Sequence, residues 1–448
     1  MRRPGDTIAA VATPGGRGGI GIVRVSGPDS ARIAKELCGG LPPPRTARYG
    51  AFRSADGTLL DRGLILHFPA PASYTGEDVV ELHGHGGRAV MDLLLGRVLE
   101  LGARHAAPGE FTERAFLNGK LDLVQAEAVA DLIDSASAES ARSAARSLEG
   151  RFSARIHELR DRLVDARAFI EAALDFPDEA AEFPAASAAE QRLAEWLEAS
   201  AILLGQARSG RALRQGLRIV ILGPPNAGKS SLLNRLLGSD RAIVDAAPGT
   251  TRDTVEESLV VGGIAMHAVD TAGLRDTADA VEAEGVRRAL AAAAGADLLL
   301  VVMEDERAER ELPRLRPQLP AGCRRIIVRN KIDLGGTRAC RVEAAGEATI
   351  SLSAKTGDGL DLLLTELRAE SGAAAGEDAI LARDRHIVAL EQANAAVGRG
   401  LEALRSGRGA EVIAEELRGA QQELGRITGE FGADELLGEI FSRFCIGK

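Results

Sequence analysis

Residues 217–237 read LRIVIL-GPPNAGKS-SLLNRLL: an apolar run, a glycine-rich loop and a segment with leucines at helical spacing. The first run predicts a buried strand and the last a helix, so the loop Gly223–Ser230 joins a strand to a helix. In that context the loop is typical of a phosphate-binding site, because glycines let backbone N–H groups turn toward phosphate oxygens. We expect Lys229 to reach the β- and γ-phosphates of a nucleotide and the Ser230 hydroxyl to ligate Mg²⁺.

Three further motifs follow later strands. Asp270-Thr271-Ala272-Gly273 ends an apolar run, where a carboxylate can hold the magnesium shell and a glycine N–H can meet the γ-phosphate. Asn330-Lys331-Ile332-Asp333 ends another, and its last carboxylate can accept both the N1 and N2 protons of guanine, which adenine does not offer. Ser353-Ala354-Lys355 follows the last run and is predicted to support the guanine oxygen through its backbone. The four motifs in this order indicate GTP.

The loop between the first two predicted strands contains PGTTRD, residues 248–253. GTPases keep there a threonine that closes on Mg²⁺ and the γ-phosphate; Thr251 is the candidate and Thr250 the alternative. Leu274 follows Gly273 where Ras-type enzymes have a glutamine that orients water. We therefore predict that the carboxylate of Glu282 holds the attacking water, the alternative being an ordinary exposed charge on a helix.

The surroundings of these motifs predict a multidomain protein. Strand-like and helical runs alternate through residues 215–375, which favours a doubly wound, mainly parallel sheet in a Ras-like α/β GTPase domain. Residues 119–214 and 376–448 are helical in pattern and predict one α-helical domain into which the α/β domain is inserted. Residues 1–118 mix short β-branched runs, glycine turns and two helical stretches, and predict an α+β domain.

Composition narrows the class of protein. The net charge of −10 over 448 residues argues against a dominating basic surface, so contact with RNA would need a local patch. The four cysteines, Cys38, Cys323, Cys340 and Cys445, show no CxxC pairing and indicate neither a zinc site nor a disulfide framework. No apolar run has the length of a membrane span or signal core, so we expect a cytoplasmic protein without a membrane partner.

Several segments outside the GTPase motifs carry a resemblance to a known family. These segments are ATPGGRGGIGIVRVSG (12–27), SYTGEDVVELHGHGG (73–87), PGEFTERAFLNGKLDLVQAEAVADLI (108–133), DFPDE, AEELR and the terminal CIGK. With PNAGKS, GTTRD and DTAGLR, they make the whole chain resemble the MnmE (TrmE) family of tRNA-modification GTPases. A small departure is Asp245, where some members carry threonine.

The resemblance implies an activity on tRNA. Such proteins work with a flavin- and NADH-dependent partner of the MnmG/GidA type to install an aminomethyl or carboxymethylaminomethyl group at carbon 5 of the wobble uridine of certain tRNAs. It also implies a homodimer formed by the N-terminal domain. The alternative from another class is a ribosome-assembly GTPase, a binding switch with no chemistry of its own on RNA.

The resemblance further implies ligand sites. K⁺ would be held by Asn226, Asp245, Ala247 and Thr250, and Mg²⁺ by Ser230 and Thr251. A 5-formyltetrahydrofolate would touch Arg24, Glu81, Lys120 and Lys448; from the residues alone, the favoured interpretation of Arg24 and Glu81 is that they are solvated surface charges. His83 and His85 are assigned no role, and Cys445 is interpreted as a packed small residue, the alternative being a nucleophile. The predicted nucleotide-binding residues are Asn226, Ala227, Gly228, Lys229, Ser230, Ser231, Asp245, Ala246, Ala247, Pro248, Gly249, Thr250, Thr251, Asp270, Thr271, Ala272, Gly273, Asn330, Lys331, Asp333, Ser353, Ala354 and Lys355.

Overall fold

The computed structural model describes residues 5–135, 137–175, 185–215, 217–239, 256–261, 264–270, 296–319, 323–344, 346–370, 380–430, 434–442 and 444–447. The chain forms two compact units. The first contains Met1–Ala130, Leu148–Arg167 and Leu417–Lys448, and the second contains Asp131–Ser147 and Ala168–Glu416. Within the described part of the chain, no helix is both long and apolar enough to cross a membrane.

The first unit is built on a six-stranded sheet with the order β3-β4-β5-β2-β1-β6. Its strands are β1 (Ile8–Val11), β2 (Gly18–Ser26), β3 (Arg48–Arg53), β4 (Leu59–Phe68), β5 (Val79–Gly86) and β6 (Arg104–His105). Neighbouring strands are antiparallel except β1 and β6, which are parallel. The short β-branched runs predicted in residues 1–118 are confirmed as strands. β3, with the sequence RYGAFR, was not predicted, because its arginines and its glycine leave no β-branched run.

Two helices cover one face of this sheet: α1 (Ser30–Cys38) and α2 (Arg88–Glu100). Their apolar side chains form one core with alternate residues of the strands, among them Val23 and Val25 of β2 and Val80 and Leu82 of β5. Because side chains alternate across a strand, the residues between these valines and leucines face the opposite side of the sheet. Arg24 and Glu81 are two of those residues, and the register places them directly opposite each other.

A second apolar cluster of the first unit joins residues from the two ends of the chain. The helices involved are α3 (Glu110–Leu117), α4 (Leu123–Ile133) and, near the C-terminus, α14 (Asp434–Ser442). Phe441 is fully buried, with its ring centroid 6.4 Å from that of Phe116 and 5.5 Å from that of Phe444. The C-terminal segment is therefore part of the first unit's core.

The second unit contains a seven-stranded sheet with the order β12-β13-β11-β10-β7-β9-β8. Its strands are β7 (Leu217–Leu222), β8 (Glu256–Val261), β9 (Ile264–Asp270), β10 (Leu298–Glu304), β11 (Arg324–Asn330), β12 (Cys340–Ala344) and β13 (Glu347–Ser351). The five central strands are parallel, and the two edge strands, β12 and β8, are antiparallel to their neighbours. The predicted mainly parallel sheet is confirmed.

Helices lie on both faces of this sheet. They are α8 (Lys229–Ser239), α9 (Ala308–Leu315), the short α10 (Ile332–Gly335) and α11 (Leu360–Glu370). Leucines of α8 and α11 pack on one face, and Ala308, Leu312 and Leu315 of α9 pack on the other. β10 is buried along almost its whole length, as expected for a strand covered on both sides. Two 3₁₀ turns, Asp305–Arg307 and Arg316–Gln318, flank α9.

Long helices precede and follow this α/β domain in the chain. They are α5 (Ala138–Leu148), α6 (Arg151–Asp175), α7 (Ala185–Gln215), α12 (Asp384–Arg405) and α13 (Ala410–Thr428). α7 and α12 pair antiparallel, since Arg208 contacts Glu391 at 2.6 Å and Glu190 contacts Arg405 at 2.7 Å. Helices from both sides of the α/β domain therefore pack together, as an inserted domain requires. The predicted fold class, α+β, helical and Ras-like α/β, is confirmed.

Candidate functional site

The glycine-rich loop leaves β7 next to β10 and enters α8. Gly223 has φ 148°, and a side chain there would bring a Cβ to 1.9 Å from the carbonyl oxygen of Val302. Gly228 has φ 90°, and a Cβ there would lie 2.2 Å from Nδ2 of Asn330. Only glycine fits these two positions, since other residues rarely adopt such φ values and the neighbouring atoms leave no space. The loop is thus shaped by close backbone approach.

Lys229 begins α8 and folds back over the loop. Its Nζ donates hydrogen bonds of 2.9 Å to the carbonyl oxygens of Gly223 and Pro224. Ser230 and Ser231, the next residues, are exposed at the first turn of the helix. Backbone N–H groups at a helix N-terminus favour anions, and an ammonium group above them adds positive charge. The arrangement is suited to a polyphosphate.

Asn330, at the end of β11, connects the glycine-rich loop to the last predicted motif. Its Nδ2 donates to the carbonyl oxygen of Ala227 at 2.8 Å, and its Oδ1 accepts from the N–H of Ala354 at 2.9 Å. The side chain is 2% exposed. One buried amide therefore connects three of the predicted motifs, which lie in residues 223–231, 330–333 and 353–355.

Asp333 lies at the surface beside the same connection. Its Oδ1 accepts a hydrogen bond of 2.6 Å from the hydroxyl of Ser353, a fully buried residue. Lys331, which precedes α10, has φ 65° and ψ 34°, a left-handed conformation that turns the chain sharply after β11. Lys355 is exposed. The carboxylate that we predict to read guanine is thus oriented by the serine of the third motif.

The remaining predicted nucleotide residues are placed only in part. Asp270 is the last residue of β9, and its backbone pairs with Ile221, two residues before Gly223. This pairing brings the end of β9 beside the start of the glycine-rich loop. Residues 245–251 and 271–273 and Glu282 lie outside the described residues, so their roles stay predictions. Asn226 is exposed with φ 60° in the loop.

A second group of predicted residues lies on the sheet of the first unit. Arg24 contacts Oε1 of Glu81 through Nε at 3.0 Å and through a terminal guanidinium nitrogen at 2.8 Å. His83 Nε2 lies 3.2 Å from Oε2 of the same carboxylate. The hydrogen bond with His83 and the charge of Arg24 hold the pKa of the Glu81 carboxyl below its usual range, although burial acts against them. Glu81 is therefore anionic at neutral pH.

Two aromatic rings border this ion pair. The Arg24 guanidinium lies 5.4 Å from the ring centroid of Tyr74 and 5.8 Å from that of Phe111. The Tyr74 hydroxyl and Thr112 Oγ1 are 2.8 Å apart, which fixes the tyrosine ring against α3. Tyr74 and Phe111 are not among the residues predicted for a site, although they lie in the segments 73–87 and 108–133. Their proximity to Arg24 depends on how β2, β5 and α3 meet.

Lys120 and the C-terminal tail lie in the same unit. Lys120 Nζ donates to the carbonyl oxygen of Pro71 at 3.2 Å. Residues 445–447 pack against the body of the unit, since the N–H of Gly109 donates to the Cys445 carbonyl at 3.4 Å and a Cβ on Gly447 would lie 2.4 Å from the Val11 carbonyl oxygen. Cys445 is exposed, so its interpretation as a packed small residue is wrong, and Lys448 lies outside the described residues.

Comparison with protein families gives two matches that together span most of the chain. A model described as the GTP-binding protein TrmE N-terminus matches residues 7–120. A model described as the MnmE helical domain matches residues 123–445.

Full-length relatives share about half of their residues with this chain. A protein of Azoarcus sp. (strain BH72) called tRNA modification GTPase MnmE is 54% identical over 452 residues, covering 100% of this chain and 99% of the relative. Proteins of the same name from Nitrosomonas eutropha and from Neisseria meningitidis serogroup C are 50% and 51% identical, and each match covers 99% of both chains.

The Asn330 bridge leads to a prediction about stability. Asn330→Ala leaves the Ala227 carbonyl and the Ala354 N–H without this partner, so we expect the free energy of unfolding of the α/β domain to fall by about 1–3 kcal/mol. Asn330→Asp keeps the acceptor but not the donor and should also destabilise. Calorimetric unfolding without nucleotide measures both. Lys355→Ala, an exposed neighbour, serves as the control and should change little; an Asn330→Ala chain as stable as the wild type would contradict the bridging role.

Proposed function

Since this chain belongs to the MnmE family of tRNA modification GTPases, we propose that its α/β domain hydrolyses GTP in a cycle that serves the modification of tRNA. One observation carries the GTP site: the buried Asn330 amide brings the glycine-rich loop and the guanine-reading motif to the same edge of one parallel sheet. Ligands of open parallel sheets bind at that edge, beyond the carboxyl ends of the strands.

The contacts of GTP follow from the side chains at this edge. The phosphates lie in the loop Gly223–Ser230, where the Lys229 ammonium exchanges its carbonyl partners for phosphate oxygens. Asp333, held by Ser353, accepts the N1 and N2 protons of guanine. The exposed hydroxyl of Ser230 fits a hard cation, and Ser230 and Thr251 would hold Mg²⁺. Mg²⁺ held there would supply positive charge to the phosphates.

Hydrolysis needs an oriented water and positive charge near the leaving phosphate. We assign the water to Glu282, because Leu274 cannot hydrogen-bond to it. We assign the additional positive charge to K⁺, held by Asn226 together with Asp245, Ala247 and Thr250. Asn226 is exposed in a loop that surrounds the phosphates, which suits a side-chain oxygen ligand. The cation supplies electrostatic stabilisation of the developing charge.

The reaction on tRNA requires more than this chain. In the proposed cycle a homodimer acts with a flavin-dependent partner of the MnmG/GidA type, and carbon 5 of the wobble uridine receives an aminomethyl or carboxymethylaminomethyl group. GTP hydrolysis changes the conformation of the complex between steps. These parts of the proposal rest on membership of the family.

The one-carbon unit would come from a 5-formyltetrahydrofolate bound to the first unit. The Arg24–Glu81 pair supplies a cation and a carboxylate beside the rings of Tyr74 and Phe111, which suits a flat pterin and an anionic tail. Lys120 adds a second cation. The tail segment 445–447 packs against β1, and Lys448 follows it in the sequence.

The assignment of the water-holding group predicts a separation of binding from turnover. Glu282→Ala should lose most GTP hydrolysis while GTP affinity stays near that of the wild type, whereas Lys229→Ala should weaken binding itself.

Turnover of the wild type should be much faster in KCl than in NaCl at equal ionic strength, and Asn226→Ala should remove that difference. Single-turnover hydrolysis and calorimetric titration provide the two readouts.

Glu309→Ala removes an exposed carboxylate elsewhere on the same domain and is the matched control, expected to behave as the wild type. An equal loss of affinity and turnover in Glu282→Ala would show a role in binding or folding and would refute the assignment. Equal wild-type rates in the two salts would refute the role of K⁺.

The folate site predicts an effect of Glu81 that is independent of GTP. Glu81→Ala should weaken the binding of 5-formyltetrahydrofolate by about 1.5–3 kcal/mol, the range for hydrogen bonds to a charged group. Deleting Gly447 and Lys448 should also weaken it, and neither change should alter GTP hydrolysis. Calorimetric titration measures the affinity, with Glu100→Ala, an exposed partner of Arg97, as control. A wild type that does not bind the folate would refute this site and would leave the GTPase proposal unaffected.

A further inference from the structure

Asp305 follows β10 and is 5% exposed although it carries no predicted function. Its two carboxylate oxygens accept hydrogen bonds from two different residues. Oδ1 accepts from Nε of Arg329 at 2.6 Å, and Oδ2 accepts from the hydroxyl of Thr337 at 2.6 Å. The Asp305 carbonyl accepts a further bond of 3.3 Å from Arg329. A single buried side chain thus contacts the residue before Asn330 and a residue beyond α10.

Glu304, the neighbour of Asp305, contacts the same segment. The register of β10 and β11 places Glu304 beside Asn330. Its Oε1 lies 3.4 Å from Nζ of Lys331, and its Oε2 lies 3.3 Å from Nε of Arg307. The two residues on either side of Asn330, Arg329 and Lys331, are therefore both paired with acidic residues at the end of β10.

The segment held in this way is the one that reads the base. We define residues 330–337 as the base loop: it contains Asn330, Lys331, the four-residue helix α10 with Asp333, and Thr337. Lys331 adopts a left-handed conformation that non-glycine residues rarely adopt, so the loop needs contacts that maintain it. Besides the acidic pair, the buried Ile332 and the Asp333–Ser353 bond are contacts that fix its middle.

We propose that Asp305 is a positioning residue for guanine recognition, with Glu304 as its auxiliary, acting by fastening both ends of the base loop. Asp305 reaches the loop through Arg329 and Thr337 and does not touch the nucleotide. The inference rests on the proposed GTP site, because it concerns where Asp333 stands when guanine binds. A loop released at its ends lets Asp333 move away from the two N–H donors of guanine.

The test compares two bases that differ at one donor. Guanine offers N1–H and an exocyclic N2 amino group to Asp333, whereas hypoxanthine offers N1–H alone. Displacement of the Asp333 carboxylate therefore lowers the affinity for GDP more than the affinity for IDP. A loss of stability without displacement of Asp333 would lower the affinities for GDP and for IDP by the same factor. The GDP/IDP affinity ratio is thus a readout that a merely structural role does not change.

Asp305→Ala in the full chain should lower GDP affinity by about tenfold or more, in the range for a hydrogen bond to a charged group, and should reduce the GDP/IDP ratio. Thr337→Val removes only the hydrogen bond to Asp305 Oδ2, at an exposed position, and it can be measured even if Asp305→Ala does not fold. It should change the GDP/IDP ratio in the same direction by a smaller factor. Glu366→Gln, which removes the ion pair with Arg341 elsewhere on the domain, is the matched control. Calorimetric titration with GDP and IDP gives all affinities.

The outcomes separate this inference from the function on which it rests. A wild type that prefers GDP, with both variants retaining the full GDP/IDP ratio, overturns the positioning role alone. Equal weakening of GDP and IDP in the variants also overturns it. A wild type that binds neither nucleotide overturns the GTP site and the inference together. A reduced ratio in both variants and not in the control supports the proposal.

Discussion

The α/β domain depends on one buried amide. Asn330 has a donor and an acceptor, and each is used on a different loop, Ala227 on one side and Ala354 on the other. Gly228 allows this approach, since any side chain there would collide with Nδ2 of Asn330. The distance between the glycine-rich loop and the loop of residues 330–333 is thereby fixed by contacts inside the protein. The proposed nucleotide site is to that extent held together by the protein's own side chains.

In the first unit, predicted site residues are brought together because side chains alternate between the two faces of the sheet. Valines and leucines of β2 and β5 face α1 and α2, so the residues between them must share the opposite face. Arg24 and Glu81 then meet as a cross-strand pair, and α3 brings Phe111 to them. The core of this unit therefore determines that a charged pair and aromatic rings lie together on its other face.

The sequence predicted most of this architecture where the pattern was strong. The run 217–222 and the run that ends at Asp270 are strands, because parallel strands in the middle of such a sheet are continuous in apolar residues. The edge strands β3 and β12 were not predicted, because charged residues interrupt their short apolar stretches. The motifs around Asn330 and Asp333 were readable, whereas Asp305 and Tyr74 were not. Their positions depend on strand register and tertiary contacts, which no local pattern contains. The assigned roles of the site residues and the domain limits stay predictions.

In the proposed function, this chain is required for the modification of tRNA. Mass spectrometry of tRNA nucleosides tests it most directly, in a strain that lacks the chain and in the same strain with the wild type restored. We expect the deletion strain to lose the aminomethyl and carboxymethylaminomethyl groups at carbon 5 of the wobble uridine, and the restored chain to return them. Unchanged nucleosides in the deletion strain would contradict the account and would favour a GTPase switch that acts in ribosome assembly.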